Sequence, residues 1–329
     1  MARSPRYFRS GKPYAVTFRT CKGLPLVATY YMRLLLEGIV ARTQRDFKVT
    51  ICHFLWMANH PHFFVLCQDP AMLCAFYGEI QKSVTEAVKR LLGINKLNLW
   101  EGRAAVAEIL DLDAAINQIA YIYGNPSRAN LVSSIEEYPG FSTFHEFKHM
   151  PSSLFATAEI AAHWVRSSRI PTLPEFSMRQ EKDRKFTSNL KKLSTTMTLV
   201  VKPNAWMNCF GIKTSAEVTE INEKIVAVMR EKEIENAAKR KFERMTVVGE
   251  RALRVRSILK THTPASSERK IFVISSDKEL RKSFIDNFIE LCATCRECFI
   301  KSLRGLFCIW PPGMFRPPLR HVASCWDAA

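Results

Sequence analysis

The chain has 329 residues, a formal net charge of +17 and a hydrophobic fraction of 47%. This length allows a sizeable core, arranged as two domains or as one domain with a long appendage. No run approaches the roughly 18 apolar residues of a membrane-spanning helix, and no apolar core of secretory-signal type follows the basic N-terminus. We therefore expect a cytoplasmic protein with reduced thiols and no membrane partner.

The positive charge is concentrated in the second half of the chain. Residues 1–150 hold 17 Lys and Arg against 12 Asp and Glu, whereas residues 151–329 hold 31 against 19. A solvated helix face explains any single basic run. The imbalance as a whole favours a polyanionic partner, most simply a nucleic acid.

Hydrophobic periodicity predicts a regular order of elements in the first part of the chain. In chain order we predict a strand, a helix, two strands, a helix, a strand and a helix, at residues 14–19, 29–44, 49–56, 61–67, 71–92, 103–109 and 113–124. Asp111 or Asp113 could cap the last helix. Strand–helix–strand–strand–helix–strand is the split βαβ, ferredoxin-like pattern, an α+β fold with an antiparallel sheet.

The remaining chain is predicted to be a basic, mainly helical extension. We predict a short helix at 156–167, a long exposed helix at 215–245, a strand at 270–275 and a helix from 276 to about 303. Ser276 and Glu279 form a predicted capping box at the start of the last helix. The predicted division is a first domain at 1–147, a linker at 148–180 and an extension of unknown role at 181–329.

His60 and His62 stand at the start of the third predicted strand, with Pro61 between them. Side chains on a strand alternate between faces, so both imidazoles leave the same face and could share one divalent cation. Histidines bonded to backbone carbonyls are the alternative. Pro61 lacks an N–H, which favours the first residues or the edge of a strand. His53, on the preceding strand, is predicted to be a core or surface residue.

The last helix of the first part carries Tyr121 and Asn125 one turn apart on the same face. Pro126 is expected to end or kink this helix at Asn125. The helix can present a phenol and an amide oxygen to one point, while Tyr123 points about 160° away from Asn125. Half-buried packing is the alternative role for such tyrosines.

Together these segments resemble the REP-associated tyrosine transposases, which are single-tyrosine transposases of the HUH-endonuclease superfamily. The motifs are Met-Ala-Asn-His-Pro-His at 57–62, Leu-Trp-Glu-Gly-Arg at 99–103, Tyr-Ile-Tyr-Gly-Asn-Pro-Ser-Arg-Ala-Asn-Leu-Val at 121–132 and Tyr-Pro-Gly-Phe-Ser-Thr-Phe at 138–144. The resemblance covers roughly residues 5–147, and the joint agreement of these motifs is more specific than any one of them.

The resemblance implies an HUH endonuclease fold and an activity on DNA. His60 and His62 would be two ligands of Mg²⁺ or Mn²⁺, Asn125 the third, and Tyr121 the nucleophile. The implied reaction cleaves and rejoins single-stranded, hairpin-bearing DNA through a 5′-phosphotyrosine intermediate, with a homodimer as a compatible assembly. A nucleic-acid-binding regulator without turnover and a zinc-dependent hydrolase using the histidine pair are the alternatives.

Two positions depart from the family pattern. Pro61 stands where a bulky apolar residue is typical, and Tyr123 stands where the family usually has histidine. The proline leaves both imidazoles in place, and Tyr123 would bring a second phenol toward the site. Tyr123 and Arg128 are therefore accessory candidates, and the remaining motif residues predict an active enzyme.

Six further candidate ligands lie close together near the C-terminus: Cys292, Cys295, Cys298, Cys308, His321 and Cys325. Their spacing suits zinc or an iron–sulfur cluster. The same spacing of three arises easily on a continuous helix, where cysteine behaves as a small apolar residue. We favour this structural role and leave the metal site as the alternative.

Overall fold

Residues from both halves of the chain build one sheet. The computed structural model describes residues 6–24, 26, 28–261 and 271–315. Within these residues the strands are β1 (Lys12–Thr17), β2 (Thr50–Met57), β3 (His60–Cys67), β4 (Ala105–Ile109), β5 (Ala158–Trp164), β6 (Thr195–Val201) and β7 (Val273–Ile274). Their order across the sheet is β5-β6-β2-β3-β1-β4-β7, antiparallel except for the parallel pairs β2–β6 and β4–β7.

Helices cover both faces of this sheet. They are α1 (Tyr30–Phe47), α2 (Pro70–Leu92), α3 (Leu112–Arg128), α4 (Phe144–Lys148), α5 (Gln180–Lys192), α6 (Ser215–Phe242), α7 (Glu250–Arg254) and α8 (Lys278–Leu303). The predicted ferredoxin-like α+β fold is confirmed, because β1-α1-β2-β3-α2-β4 follow in the predicted order with antiparallel pairing. Among the described residues, none of these helices is both long and apolar enough to cross a lipid bilayer.

The central strand β3 divides the core between the two faces. Phe63 and Val65 join the apolar cluster that contains α1 and α2 side chains, while Phe64 and Leu66 join the cluster that contains α3 and α6 side chains. Because side chains alternate along a strand, His62 leaves the sheet on the same face as Phe64. The sheet therefore presents His62 to the helix that carries the candidate tyrosine.

The predicted helix at 156–167 is wrong, because this segment is the edge strand β5. Along β5 the side chains alternate in exposure, and Ala162 is fully buried. The strand pairs with β6 and passes close to α1 at Gly38, where a Cβ would lie 2.2 Å from the carbonyl oxygen of His163. Such long-range pairing overrides local helix propensity, so part of the predicted linker belongs to the sheet.

Helix α6 begins and ends close to the predicted bounds, but it is not exposed on all sides. Thr214 and Glu217 form a capping box at its start. Its buried apolar residues belong to the cluster shared with α3: Val218, Ile221, Ile225 and Met229. This apolar stripe covers α3, and most of the charged residues of α6 face solvent.

Helix α3 continues through Pro126, although Pro126 is expected to end or kink it at Asn125. Asp111 caps the start, and its Oδ1 accepts a backbone N–H of the first turn at 2.7 Å. The helix ends at Arg128, and the N–H of Ala129 donates to the carbonyl oxygen of Asn125 at 2.9 Å. Proline removes one N–H from a helix without requiring the chain to leave it, provided that other contacts hold the turn.

Asp111 also joins α3 to the segment that follows β7, at the sheet edge opposite to β5. Its Oδ2 accepts from Ser275 Oγ at 2.6 Å and from the N–H of Ser276 at 2.8 Å.

Strand β7 is shorter than the strand predicted at 270–275, and residue 270 lies outside the described residues. Asp277, rather than the expected Ser276, caps α8 and accepts from the N–H of Glu279 at 2.8 Å.

We expect Asp111→Ala to lower the free energy of unfolding by about 1–2 kcal/mol, because one carboxylate both caps α3 and holds the segment before α8. Asp113→Ala is the matched control. Its carboxylate is 63% exposed and pairs with Lys224, so we expect less than about 0.5 kcal/mol. Urea unfolding followed by circular dichroism measures both variants, and equal effects would contradict the capping role.

Candidate functional site

The rings of His60 and His62 lie side by side at the start of β3. Their centroids are 4.6 Å apart and their planes are inclined at 78°. His62 pairs with Thr17 on β1 and with Leu55 on β2, so it lies in the interior of the sheet. The pairing of β1 with β3 ends at His62, so Pro61 has no partner residue on β1. The N–H that proline lacks is therefore not needed for a hydrogen bond to β1.

Both imidazoles are held in the neutral form. His62 is 5% exposed, and burial, together with Arg128 and Arg19, lowers its pKa to about 3. The pKa of His60 lies well below its ordinary value, mainly because the ring is buried and to a smaller extent because His62 is its neighbour. A neutral imidazole keeps a lone pair, which is the form that binds a metal ion.

Each histidine has a ring nitrogen available for a ligand. His60 Nδ1 lies 2.5 Å from Asn59 Oδ1, in the turn between β2 and β3. An amide oxygen only accepts, so this contact favours a proton on Nδ1 and a lone pair on Nε2. His62 Nε2 is buried and has no hydrogen-bond partner within the described residues. Buried polar atoms are rarely left unpaired, and this nitrogen is available to a ligand.

Tyr121 lies directly beside this pair. Its ring centroid is 5.6 Å from that of His62, with the planes inclined at 86°. The guanidinium carbon of Arg128 lies 4.9 Å from the centroid of the same tyrosine ring. Helix α3 brings these groups together because its opposite side, which includes Ile119 and Ile122, is fully buried in the core.

Asn125 follows Tyr121 by one helical turn on the same face of α3. It is 4% exposed, and its Nδ2 has no hydrogen-bond partner in the part of the chain that the structure describes. Rotation of the amide exchanges Nδ2 and Oδ1, so the oxygen can occupy the same place. Two imidazole nitrogens and one amide oxygen are donors that can bind a divalent metal ion, and a set of three leaves coordination positions open.

Two arginines make the site electropositive. Arg128 and Arg19 both act on the pKa values of His60 and His62. The sequence motifs include Arg128 but do not indicate Arg19. The signal for Arg19 is positional, because Thr17, the last residue of β1, pairs with His62 and Arg19 follows it by two residues. This charge suits the phosphate of a nucleic acid.

Tyr123 lies in the core on the other side of α3, rather than beside the histidine pair as its accessory role requires. It is fully buried, and its hydroxyl lies 2.9 Å from His53 Nδ1 and 3.1 Å from Thr143 Oγ1. Its ring stacks on Phe147. The two steps of the helical period between residues 123 and 125 account for this separation.

The buried His53 should make the folded state sensitive to acid. Burial lowers the pKa of His53 to about 3, so the native state binds fewer protons than the unfolded chain, in which histidine titrates near pH 6.5. This contribution is complete above about pH 6.5 and is lost as the pH falls toward 3. Between pH 7 and 5, we expect wild type to lose about 2 kcal/mol more stability than His53→Phe in urea unfolding. Equal losses would contradict a neutral, buried His53.

Three cysteines of the C-terminal cluster lie on α8: Cys292, Cys295 and Cys298. Cys298 Sγ donates to the carbonyl oxygen of Ile309 at 3.3 Å, and Cys308 Sγ donates to the carbonyl oxygen of Cys298 at 3.2 Å. Across the described ranges, no three His, Cys, Asp or Glu side chains converge to hold a metal ion. The candidates His321 and Cys325 lie outside those ranges.

Comparison of the sequence with protein-family models and with curated proteins finds no match. Among solved structures, the chain is similar to the REP-associated tyrosine transposase bound to a REP hairpin. The two share 23% identity, over 45% of this chain and 86% of that chain, with a TM-score of 0.39. The solved neighbour is a member of the family that the motifs predict.

Proposed function

We propose that this chain is a metal-dependent tyrosine transposase that cleaves and rejoins single-stranded DNA. The observation that carries the proposal is the contact between the half-buried Tyr121 and His62, whose buried Nε2 has no partner in the described structure. A nucleophile of the right type thus lies against a neutral metal-binding side chain. This arrangement is supported by Asn125 on the next turn of the same helix.

His60, His62 and Asn125 would hold the divalent ion. When bound, a Mg²⁺ or Mn²⁺ ion supplies charge neutralisation and orientation at the scissile phosphate. The imidazoles contribute neutral ligands, so the full charge of the ion remains available to the phosphate oxygens. Arg19 and Arg128 add positive charge beside the histidines, which favours binding of the anionic substrate.

The hydroxyl oxygen of Tyr121 would attack the phosphorus of a phosphodiester bond. The new bond joins this oxygen to phosphorus, the phosphorus–O3′ bond breaks, and the released 3′ oxygen takes up a proton as the phenol loses one. Arg128, whose guanidinium lies 4.9 Å from the ring, stabilises the negative charge that develops on the phenol. The phosphotyrosine conserves the bond energy, so a 3′-hydroxyl can later reverse the step and join strands.

The partner is DNA, and the hairpin requirement comes from the family resemblance of the motifs. The net charge of +17 supplies long-range attraction to a polyanion. Affinity for a hairpin oligonucleotide should therefore fall steeply as the salt concentration rises, through counterion release.

A labelled hairpin oligonucleotide with a single-stranded flank tests the reaction. In Mg²⁺ or Mn²⁺, the 3′-labelled product should migrate with the protein on a denaturing gel, because the 5′ phosphate of that fragment is bound to tyrosine. The 5′-labelled product should be free and carry an extendable 3′-hydroxyl. Binding without cleavage in either metal would favour the regulator, and cleavage that never becomes covalent would favour the hydrolase.

A further inference from the structure

Arg240, near the end of α6, is buried although its neighbours face solvent. It is 7% exposed, whereas the side chain of Lys239 is 70% exposed. Its Nη1 donates to the carbonyl oxygen of Ser127 at 2.9 Å and lies 3.2 Å from Ser127 Oγ. Taking a guanidinium out of water is costly, and an apolar side chain would fill this place at lower cost. The contact with Ser127 is therefore the feature that needs an arginine.

Ser127 belongs to the turn of α3 that contains Pro126. Pro126 lacks the N–H that would bond to the carbonyl oxygen of Ile122, so the helix loses an internal bond immediately before its end. Ser127 stands between Asn125 and Arg128, the two side chains that this turn contributes to the site. A cation at the last carbonyls of a helix satisfies an acceptor and complements the helix dipole. Arg240 thus supports the turn from outside.

The chain that follows α3 is held by the same part of the extension. Glu233 is 7% exposed and accepts the backbone N–H of residue 135 at 2.9 Å. The N–H groups of Val248 and Gly249 donate to the carbonyl oxygens of Asn130 and Leu131 at 2.9 and 2.8 Å. Residues 233–249 therefore fix both the last turn of α3 and its exit.

We propose that Arg240 is a positioning residue, which holds the last turn of α3 so that Asn125 and Arg128 point into the site. This inference rests on the proposed function and assigns a part of it to the extension. A displacement of these side chains by about 1 Å is expected to slow the covalent step strongly. DNA affinity should change little, because most of the positive charge lies elsewhere on the chain.

Three variants of the full-length chain test this role: Arg240→Met, Arg240→Lys and the control Lys239→Met. The rate of adduct formation is measured with saturating hairpin and Mn²⁺, beside the Kd of the hairpin. We expect a fall of about tenfold or more in Arg240→Met, with Kd within about threefold, since misplaced groups lose rate rather than binding. Arg240→Lys should recover part of the rate, because an ammonium can still donate to the Ser127 carbonyl. Lys239→Met should match wild type.

Hydrogen exchange of the amides at residues 129–131 provides a readout without DNA or metal. These amides should exchange about tenfold faster in Arg240→Met, because the turn loses the hydrogen bond from Arg240 to the Ser127 carbonyl oxygen. In Lys239→Met their exchange rates should equal those of wild type. Unchanged exchange in Arg240→Met would overturn the inference whatever the activity. The inference would also be overturned if the rate of adduct formation in Arg240→Met fell only in proportion to the fraction of unfolded protein and Arg240→Lys recovered none of it. Faster exchange in a chain whose wild type never forms an adduct would instead refute the proposed function.

Discussion

Tyr121→Phe is expected to abolish the covalent protein–DNA adduct. The substitution removes only the hydroxyl oxygen that would form the bond to phosphorus, and it leaves the ring that contacts His62. Nucleophile removal typically lowers a rate by several orders of magnitude, so we expect at least about a 1,000-fold loss. The measurement is the fraction of 3′-labelled hairpin that migrates with the protein. Hairpin affinity should stay within about threefold, because the electrostatic attraction is unchanged.

Tyr123→Phe is the matched control, since it removes the same atom two residues along the same helix. The adduct should persist. The free energy of unfolding should fall by about 1–2 kcal/mol, because His53 Nδ1 and Thr143 Oγ1 lose the hydroxyl between them. An adduct that needs Tyr123 and not Tyr121 would show that the nucleophile is misassigned.

His62→Ala is expected to cause the second large effect, a loss of cleavage of about 100-fold or more. The variant removes one of the two imidazoles, and the same ring packs against Tyr121. We therefore expect weaker metal binding and a less well positioned phenol. Mn²⁺ titration followed by calorimetry should show weaker binding than wild type. Cleavage in excess Mn²⁺ should recover only in part, because Tyr121 has lost its neighbour.

His145→Ala is the control for this substitution, because His145 lies on α4 with 80% of its side chain exposed. It should retain wild-type Mn²⁺ affinity and cleavage. Equal Mn²⁺ affinity in His62→Ala and His145→Ala would remove His62 from the metal site. If His62→Ala instead abolishes a cleavage that is never covalent, the zinc-dependent hydrolase becomes the better explanation.

Much of the site follows from local sequence patterns. A strand alternates its side chains, so His60 and His62 share a face whatever the rest of the chain does. A helix returns after about four residues, so Tyr121 and Asn125 share a face in the same way. Two steps of the helical period separate Tyr123 from Asn125, and the structure accordingly places Tyr123 in the core beside His53.

Other features depend on contacts between distant parts of the chain. The edge strand β5 forms because it pairs with β6 and packs against Gly38 of α1, although the local sequence predicts a helix there. Pro126 is expected to end α3, yet the helix continues to Arg128 where Arg240, more than 100 residues away, bonds to Ser127. Periodicity within a segment carries no information about such partners.

Local patterns therefore predict the fold class of the first 147 residues and two pairs of neighbouring side chains, His60 with His62 and Tyr121 with Asn125. Contacts between elements bring the first pair beside Tyr121, place Arg19 near that pair and pack the extension on α3. The physical reason is the range of the interactions. Backbone periods fix neighbours within one element, whereas burial and hydrogen bonds between elements fix which elements meet.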